Sequence, residues 1–231
     1  MALIDIHNLT KVYGAEGAET AALRGVSFAI EAGEFVAVMG PSGSGKSTLL
    51  HILGLLDRQT SGTYRFDGQS SETYTTDALA QIRNRRIGFV FQAFNLLPRT
   101  TVFENVGLPL RYSDVAPAEW DGRVREAIER VGLTHRSHHT PAQLSGGEQQ
   151  RAAIARALVV NPAVIFADEP TGNLDTVSGQ NVMAIIDELR KERGHTIVLI
   201  THDPKTALHA QRILHFRDGV LERDERTPAR V

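Results

Sequence analysis

The segment Gly40-Pro-Ser-Gly-Ser-Gly-Lys-Ser47 constrains the fold of this chain more than any other feature of its sequence. It matches the pattern G-x-x-x-x-G-K-[ST], in which a glycine-rich loop follows a buried strand and leads into a helix. The apolar run Phe35–Met39 precedes the segment and the apolar pattern Thr48–Leu56 follows it. The alternative is a Gly/Ser-rich turn that carries a lysine by chance, but the strand and helix at its flanks favour the loop.

The residue types of this loop suit phosphate binding. Gly40, Gly43 and Gly45 allow backbone conformations that direct N–H groups at phosphates, and the helix N-terminus adds partial positive charge. Lys46 is expected to reach the β- and γ-phosphates, and the Ser47 hydroxyl is expected to bind Mg²⁺. We therefore predict a site for a nucleoside triphosphate and its magnesium ion, formed by Gly40, Pro41, Ser42, Gly43, Ser44, Gly45, Lys46, Ser47 and Thr48.

A second motif ends another predicted strand, Ala163-Val-Ile-Phe-Ala-Asp-Glu-Pro170. Ligands of open α/β sheets bind at the carboxyl ends of the strands, and two adjacent carboxylates at such an end favour a bound cation. Asp168 is the candidate partner of Mg²⁺, and Glu169 is the candidate residue that polarises the attacking water. Taken alone, the pair is usually a solvated strand end or a helix cap. Its occurrence together with the phosphate loop favours the catalytic interpretation.

The alternation of strand and helix patterns predicts the fold class. Runs rich in Val, Ile and Phe are typical of buried strands, and they lie at Leu3–Ile6, Phe35–Met39, Ile87–Phe91, Val164–Ala167 and Ile197–Ile200. Helical patterns separate several of these runs, which implies an α/β fold with a mostly parallel sheet covered on both faces. Residues 93–161 show helix signals and no convincing strand. We predict that they form a helical subdomain inserted into a nucleotide-binding core of residues 1–92 and 162–231.

Composition limits the class of protein. Apolar residues make up 42% and charged residues 23% of the 231, which predicts a folded globular chain. The formal charge of −2 gives no general attraction to polyanions, and without cysteine there are no disulfides or thiolate sites. The N-terminus lacks the apolar core of a signal peptide, and no window reaches the roughly 18 apolar residues of a spanning helix. We therefore expect a cytoplasmic chain, with a frayed terminus at Arg223–Val231.

The segment Leu144-Ser-Gly-Gly-Glu-Gln149 resembles the signature motif of ABC-type ATPases, and the resemblance extends over nearly the whole chain. By chemistry alone, a serine followed by two glycines at a helix start can hold an anion, but it can also be a plain helix cap. The resemblance implies a P-loop NTPase core of the RecA-like type with an N-terminal antiparallel β part. It also implies that Ser145, Gly146 and Gly147 of one copy complete the ATP site of a second copy.

The same resemblance gives roles to four single residues. Tyr13 looks like the aromatic residue that stacks on adenine, although its other interpretation is an ordinary tyrosine at a strand end. Gln92 looks like the glutamine that meets Mg²⁺ and the attacking water. His202 looks like the switch histidine that contacts the γ-phosphate, although a lone histidine is more often structural, and Asp175 looks like the aspartate that communicates across a dimer. The implied catalytic residues are Lys46, Gln92, Glu169 and His202.

Within the family, Asn95–Pro98, Glu104–Val106 and Glu169–Asp175 look most like subunits of lipoprotein-releasing, macrolide-export and cell-division-type systems. The resemblance implies an ATP-hydrolysing subunit that dimerises head to tail on ATP. This dimer would drive a separately encoded membrane permease from the cytoplasmic side of the inner membrane, with no nucleic-acid partner. A division or regulatory scaffold is an alternative that the sequence does not separate from transport. A soluble ABC ATPase of DNA repair or translation is a weaker one, because such proteins usually carry coiled coils, zinc modules or fused cassettes.

Overall fold

The computed structural model of the chain describes residues 2–14 and 18–227, without the side chains of residues 192 and 193. Within these residues the strands are β1 Ala2–Tyr13, β2 Thr20–Glu31, β3 Phe35–Met39, β4 Ser61–Phe66, β5 Gln69–Ser70, β6 Ile87–Phe91, β7 Val164–Asp168, β8 Thr196–Thr201, β9 Arg212–Arg217 and β10 Val220–Arg226. The α-helices of the same residues are α1 Lys46–Leu53, α2 Thr76–Arg86, α3 Val102–Gly107, α4 Pro117–Arg130, α5 Gly146–Leu158, α6 Thr176–Arg193 and α7 Pro204–Ala207. All five strands predicted from the sequence lie within strands of the structure, which confirms the α/β class.

The described residues form two compact units. The first unit holds the residues up to Leu79 and those from Gly194 onward, and the second unit is Ala80–Arg193. The insertion of a helical subdomain at residues 93–161 stays a prediction. Among the described helices, none combines the length and the apolar character needed to cross a lipid bilayer.

An antiparallel sheet of order β2-β1-β4-β5 forms one part of the first unit, as expected for an N-terminal antiparallel β part. Apolar side chains at alternating positions, such as Ile4 and Ile6, are fully buried, which is typical of a sheet with one face in the core. Tyr64 on β4 is also fully buried, and its hydroxyl donates a hydrogen bond of 2.6 Å to the carbonyl oxygen of Leu53. Burial raises the pKa of Tyr64, so this hydroxyl stays protonated and continues to donate to α1.

The other strands of the first unit lie in the order β10-β9-β3-β8. The central strand β3 is parallel to both β8 and β9, and every residue from Phe35 to Val38 is buried. A continuous apolar strand of this kind is typical of a parallel sheet covered on both faces. The register pairs Met39, the last residue of β3, with Thr201, the last residue of β8. The segments that follow these two residues therefore start side by side at the carboxyl ends of the strands.

The second unit holds the parallel pair β6 and β7 and most of the helices. Helix α4 begins at Pro117, and it buries Val124 and Ile128. Helix α5 buries most of its apolar side chains, including Ile154 and Leu158. The described residues between 93 and 161 contain helices and no strand, as the sequence predicts.

Helix α1 differs in its bounds from the prediction of Thr48–Leu56. It begins at Lys46, because Gly45 takes the N-cap position with φ of 96°, and it ends at Leu53. Leu55 lies in the left-handed region with φ of 57°, which an α-helix does not allow. The phosphate loop therefore joins the helix without an intervening residue.

The prediction of a frayed terminus from Arg223 onward is wrong for its first residues. They belong to β10, an edge strand that pairs antiparallel with β9. Arg212 on β9 donates to both carboxylate oxygens of Asp224, at 2.7 and 2.6 Å, and this two-point ion pair holds the charged strand in place. Residues 228–231 lie outside the described residues.

Candidate functional site

The phosphate loop requires glycine at two of its positions because backbone atoms approach it closely. A Cβ at Gly40 would lie 2.2 Å from the carbonyl oxygen of Phe216. A Cβ at Gly45 would lie 2.4 Å from the carbonyl oxygen of Ala22, and this residue also has a positive φ. Any side chain at either position would displace the loop. The close packing fixes where the first N–H groups of α1 lie, and these groups have no partner within the helix.

Two side chains of the loop give it the chemistry of a phosphate site. The ammonium of Lys46 is almost buried and donates to the carbonyl oxygens of Gly40 and Pro41, at 2.9 and 2.8 Å. The hydroxyl of Ser44 is buried and has no hydrogen-bond partner within the described residues. Such a hydroxyl costs about 1–3 kcal/mol, which a phosphate oxygen could offset. The side chain of Ser47, in the first turn of α1, is exposed. These residues fit a triphosphate and its magnesium ion.

The structure brings His202 to the strand ends that bear the phosphate loop. Met39 pairs with Thr201, so Gly40 and His202 each follow directly on one of two neighbouring parallel strands. The side chain of His202 is exposed. The next residue, Asp203, caps α7 and accepts hydrogen bonds from the N–H groups of the first turn. The position of His202 is therefore fixed by a strand on one side and a capped helix on the other.

Tyr13 lies at the end of β1, and 42% of it is exposed. Its hydroxyl donates to a carboxylate oxygen of Asp57 at 2.8 Å. The other carboxylate oxygen of Asp57 accepts from Lys11 at 2.7 Å, and the Lys11 ammonium lies 4.8 Å from the centre of the Tyr13 ring. Sequence reasoning proposed Tyr13 and missed its two partners. Lys11 precedes Tyr13 by two residues on the same strand, and this spacing places both on one face, so the contact could have been predicted. Asp57 is distant in sequence, and no local pattern indicates it.

In the second unit, the ends of β6 and β7 bring together three predicted residues. Phe91 pairs with Asp168 in the parallel register, so Gln92 and Glu169 each follow directly on neighbouring strands. The side-chain amide of Gln92 donates to the Asn173 side chain at 3.1 Å, and Asn173 donates to the Gln92 carbonyl oxygen at 3.0 Å. This reciprocal pair holds Gln92 beside the loop that follows Glu169. Asn173 was not proposed from the sequence as a site residue.

The backbone of Glu169 is strained. Its φ is 45°, in the left-handed region that residues other than glycine seldom adopt. Its carbonyl oxygen accepts a hydrogen bond of 3.0 Å from the N–H of Gly172, which closes a tight turn after the strand. Such a conformation costs about 1–3 kcal/mol and is concentrated at functional sites. Here the strained residue is the predicted catalytic carboxylate.

The loop after Gln92 also has left-handed residues, Phe94 with φ of 59° and Asn95 with φ of 53°. The guanidinium of Arg156, on α5, donates to the carbonyl oxygens of both, at 2.9 Å for Phe94. Burial lowers the pKa of Arg156, as expected for a guanidinium withdrawn from water. One side chain of α5 therefore holds two consecutive strained residues. Sequence reasoning did not identify Arg156.

The signature segment is a helix cap as well as a candidate ligand site. The Ser145 hydroxyl accepts from the N–H of Glu148 at 3.3 Å, and the Glu148 carboxylate accepts from the N–H of Ser145 at 2.8 Å. This reciprocal capping box starts α5. The hydrogen bond from the Ser145 N–H holds the pKa of Glu148 below its usual value, with help from the nearby guanidinium of Arg136. The plain interpretation of the motif as a cap is thus correct, and it is compatible with a functional role.

Gly147 connects the signature segment to Asp175. A Cβ at Gly147 would lie 2.9 Å from the hydroxyl oxygen of Ser178, so α5 and α6 touch at this point. The same hydroxyl donates to Asp175 at 2.6 Å, and Asp175 also accepts from the N–H groups of Val177 and Ser178. These bonds, led by the one from the Ser178 hydroxyl, hold the pKa of the exposed Asp175 below its usual value. Asp175 is therefore a fixed anion at the start of α6.

Each unit thus holds one group of the predicted residues. The first unit contains the phosphate loop, Tyr13 and His202, and the second contains Ser145, Gly146 and Gly147 with Gln92, Asp168, Glu169 and Asp175. The roles given to these residues stay predictions.

Comparison with known proteins gives a consistent result. The family model described as ABC transporter matches residues 23–172. The macrolide export ATP-binding/permease protein MacB of Syntrophobacter fumaroxidans is 51% identical over 96% of this chain, but the match covers 31% of that protein. The chain therefore spans about a third of the length of this relative. The uncharacterized ABC transporter ATP-binding protein YvrO of Bacillus subtilis is 50% identical, and the match covers 97% of each chain.

Solved structures agree with these relatives. The dimeric post-hydrolysis state of the ATP-binding cassette MJ0796, bound to ADP and Pi, has a TM-score of 0.89 and 42% identity and covers 98% of this chain and 100% of its own. The structure of cbiO1 from Clostridium perfringens, part of the ABC transporter complex cbiONQ, has a TM-score of 0.87 and 29% identity over 97% of this chain and 88% of its own. The likeness confirms the predicted P-loop NTPase fold class.

Proposed function

The chain belongs to the ABC transporter family as one of its ATP-hydrolysing cassettes, and from this premise we propose that it drives a membrane permease by binding and hydrolysing Mg·ATP. The observation that carries the proposal is the phosphate loop. Its buried Lys46 ammonium and its buried, unpartnered Ser44 hydroxyl lie at the N-terminus of α1. A polyanion can accept from the Ser44 hydroxyl and the N-terminus of α1 while the Lys46 charge balances it, whereas no apolar ligand does this.

The phosphates of ATP bind to groups of the first unit. The N–H groups of the glycine-rich loop and the first turn of α1 receive the phosphate oxygens, and Lys46 neutralises part of their charge. We propose that Ser47, Gln92 and Asp168 hold Mg²⁺, because hydroxyl, amide and carboxylate oxygens are the ligands that this ion prefers. When bound, the ion withdraws charge from the β- and γ-phosphates. Tyr13 provides an exposed ring on which adenine can stack.

Hydrolysis requires a positioned water more than covalent help from the protein. We propose that the Glu169 carboxylate accepts a proton as a water oxygen attacks the γ-phosphorus, while the bond from this phosphorus to the β,γ-bridging oxygen breaks and ADP leaves. Gln92 contacts the same water, and His202 donates a hydrogen bond to the γ-phosphate. The strained turn at Glu169 supports this role because it fixes the backbone of the residue.

We propose that the complete site needs two copies of the chain, packed head to tail. Ser145, Gly146 and Gly147 of one copy donate to the γ-phosphate that is held by Lys46 of the other. The start of α5 suits this task because it combines a helix N-terminus with glycines that leave the backbone accessible. Asp175, a fixed anion linked to Gly147 through Ser178, communicates between the two sites. MJ0796, a similar cassette, has been solved as a dimer.

The names of the relatives support a membrane partner. MacB is an ATP-binding/permease protein for macrolide export, and cbiO1 is part of a transporter complex. We propose that this cassette acts at the cytoplasmic face of the inner membrane on a permease on a separate chain, in a macrolide-export or lipoprotein-release type of system.

Affinity purification of the tagged chain from detergent-solubilised membranes tests this assignment. We expect one integral membrane protein to co-purify in a fixed ratio and to raise the rate of phosphate release from Mg·ATP when the two are reconstituted in liposomes. The matched control is Lys46→Ala, which should bind the same membrane protein without releasing phosphate. Recovery of a nucleic-acid repair complex or of ribosomal components would overturn the proposal.

A further inference from the structure

We infer that Lys11 and Asp57 are positioning residues for the nucleobase, because together they hold the ring of Tyr13 in one orientation and leave one face of it for stacking. The inference rests on the proposed function, and it extends that function to two residues with no sequence motif. It concerns contacts within the first unit alone.

The Asp57 carboxylate is the centre of the arrangement. One oxygen accepts from the Tyr13 hydroxyl at 2.8 Å, and the other accepts from the Lys11 ammonium at 2.7 Å. The second oxygen also accepts from the N–H of Arg58 at 2.7 Å, and Lys11 makes a further hydrogen bond of 2.6 Å to the Arg58 carbonyl oxygen. The carboxylate therefore holds the tip of the phenol ring and the cation beside it at the same time.

Tyr13 and Asp57 keep their protonation states near neutral pH. Burial alone raises the pKa of Asp57, but hydrogen bonds from Lys11, Tyr13 and the backbone of Arg58 outweigh it and hold that pKa below its usual value. Burial and the Asp57 carboxylate raise the pKa of Tyr13. Tyr13 is therefore the proton donor and Asp57 the acceptor over the whole neutral range.

Lys11 determines which face of the ring is open. Its ammonium lies over the ring, 4.8 Å from the centre, and its side chain is largely buried in this position. A base cannot stack on the face that the ammonium occupies. Since the ring as a whole is well exposed, the opposite face is the one available to a base.

The same residues connect the ring to the phosphate loop. The backbone N–H of Asp57 donates to the carbonyl oxygen of His51, in the last turn of α1, at 3.1 Å. The ring is thus fixed to the helix whose N-terminus binds phosphate. A nucleotide would find its base platform and its phosphate site already set at one separation, which lowers the entropy cost of binding.

The inference predicts that only ligands that carry a base lose affinity. Asp57→Asn removes the negative charge and replaces one of the two acceptor oxygens by an NH2 group, so the hydrogen bonds from Tyr13 and Lys11 cannot both keep their present geometry and strength. We expect the Kd of Mg·ATP to rise about three- to tenfold, the range of one ordinary hydrogen bond, because the ring stays in place and loses only part of the contact that orders it. Stacking tolerates any base, so Mg·GTP should weaken by the same factor. Inorganic tripolyphosphate with magnesium, which has no base, should bind as it does to the unchanged protein.

Calorimetric titration of the purified chain with these three ligands tests the inference. The variants are Asp57→Asn, Tyr13→Phe, Tyr13→Ala and, as a control, Asp77→Asn, which makes the same change at an exposed carboxylate of the first unit. Tyr13→Phe keeps the ring and removes the held hydroxyl, so it tests the same contact if Asp57→Asn does not fold. In kinetic assays, Asp57→Asn and Tyr13→Phe should each raise KM for ATP and leave kcat unchanged.

The outcomes separate this inference from the proposed function. If Tyr13→Ala weakens ATP binding but Asp57→Asn and Tyr13→Phe do not, the positioning role is wrong and the stacking role stands. If Tyr13→Ala binds ATP normally, both roles are wrong, while the phosphate loop is unaffected. An equal loss of tripolyphosphate binding in Asp57→Asn would also overturn the inference, since the change would then act through the loop and not through the base.

Discussion

Neighbouring residues of the phosphate loop fix the position of the Lys46 ammonium. Its ammonium is bonded to two carbonyl oxygens of the loop, so the charge is fixed at the N-terminus of α1 by the loop itself. A charge that is already oriented loses little entropy when it meets a phosphate, and each charge-assisted hydrogen bond is worth about 1.5–3 kcal/mol.

Lys46→Ala should therefore weaken the binding of Mg·ATP about a hundredfold, as expected for the loss of two such bonds, and should abolish most phosphate release. Titration with ATP and a phosphate-release assay measure both effects. The control is Lys205→Ala, which removes an exposed lysine from the first turn of α7 in the same unit. A Lys46→Ala protein that kept normal affinity and turnover would contradict the assignment of the loop.

At the residue scale, the sequence identifies groups that belong to a local motif and misses groups that act across the chain. Lys46 and Glu169 could be predicted because their motifs are contiguous. Asp57 meets a residue 44 positions away, Asn173 meets one 81 positions away and Arg156 meets one 62 positions away. Such contacts depend on tertiary packing, which no local pattern specifies.

Arg156 connects helix α5 to the loop that follows Gln92. It extends from α5 to the carbonyl oxygens of Phe94 and Asn95, whose left-handed backbone needs support from outside the loop. Arg156→Met should therefore lower kcat about tenfold, because Gln92 lies two residues before this support and a small displacement of a positioned group is costly. The Kd of magnesium-free ATP should change much less than kcat, because the donors of the phosphate loop lie in the first unit and Gln92 is proposed to contact only the ion and the water.

Steady-state kinetics together with equilibrium binding check this prediction, and Arg156→Lys is the conservative partner. Lysine keeps the charge but lacks the planar fork that reaches two carbonyl oxygens, so it should restore only part of the lost rate. A decrease in ATP affinity equal to the decrease in kcat would indicate general unfolding and would contradict a positioning role.

Helix α5 begins with a cap that the sequence shows clearly, and the function proposed for this cap can be tested separately from its stability. Ser145→Arg removes the capping hydroxyl, which costs about 0.5–2 kcal/mol, and also places a long side chain at the start of the helix. ATP should still bind to the single chain with normal affinity. Association of two chains on ATP should be lost, because the arginine fills the space that the γ-phosphate of a second copy would enter.

A matched control exists for the loss of the cap. Thr101 forms the same capping box with Glu104 at the start of α3, so Thr101→Arg removes an equivalent cap elsewhere in the second unit. Thermal unfolding should show similar losses in both variants, whereas light scattering with ATP should show dimers only for Thr101→Arg. Dimers in Ser145→Arg would rule out the composite site.

Two of the strands that the sequence missed, β10 and β2, depend on the strands that pair with them. Strand β10 is rich in charged residues and mostly exposed, and it forms because β9 pairs with it and Arg212 binds Asp224. Strand β2 alternates buried and exposed residues over Thr20–Glu31 and pairs with β1. In such strands the pairing partner decides the conformation more than intrinsic propensity does. Four of the five predicted strands were continuous apolar runs, which a single segment of sequence reveals, and only Leu3–Ile6 is interrupted, by Asp5.

For the whole molecule, the proposed mechanism is an equilibrium between separate and paired copies that ATP shifts. A ligand moves such an equilibrium from about 1:99 to 99:1 only if it binds the favoured state roughly 10⁴-fold more tightly. ATP can meet this condition if it contacts the phosphate loop of one copy and the start of α5 of the other. Hydrolysis then removes the bridge, and the pair separates.

Glu169→Gln isolates this equilibrium from the chemistry. The change keeps the size of the side chain and the strained φ of 45° and removes only the charge that accepts a proton. General-base catalysis contributes about 10²–10⁴ in rate, so ATP should persist and the protein should accumulate as a closed dimer. Light scattering with Mg·ATP should show twice the mass of one chain, and Glu188→Gln, at an exposed position on α6, should stay monomeric after ATP is consumed.

Adding Ser145→Arg to Glu169→Gln should return the protein to monomers, because the bridge needs both ends. A Glu169→Gln protein that stays monomeric and hydrolyses ATP at the normal rate would show that neither the carboxylate nor the paired state belongs to the mechanism.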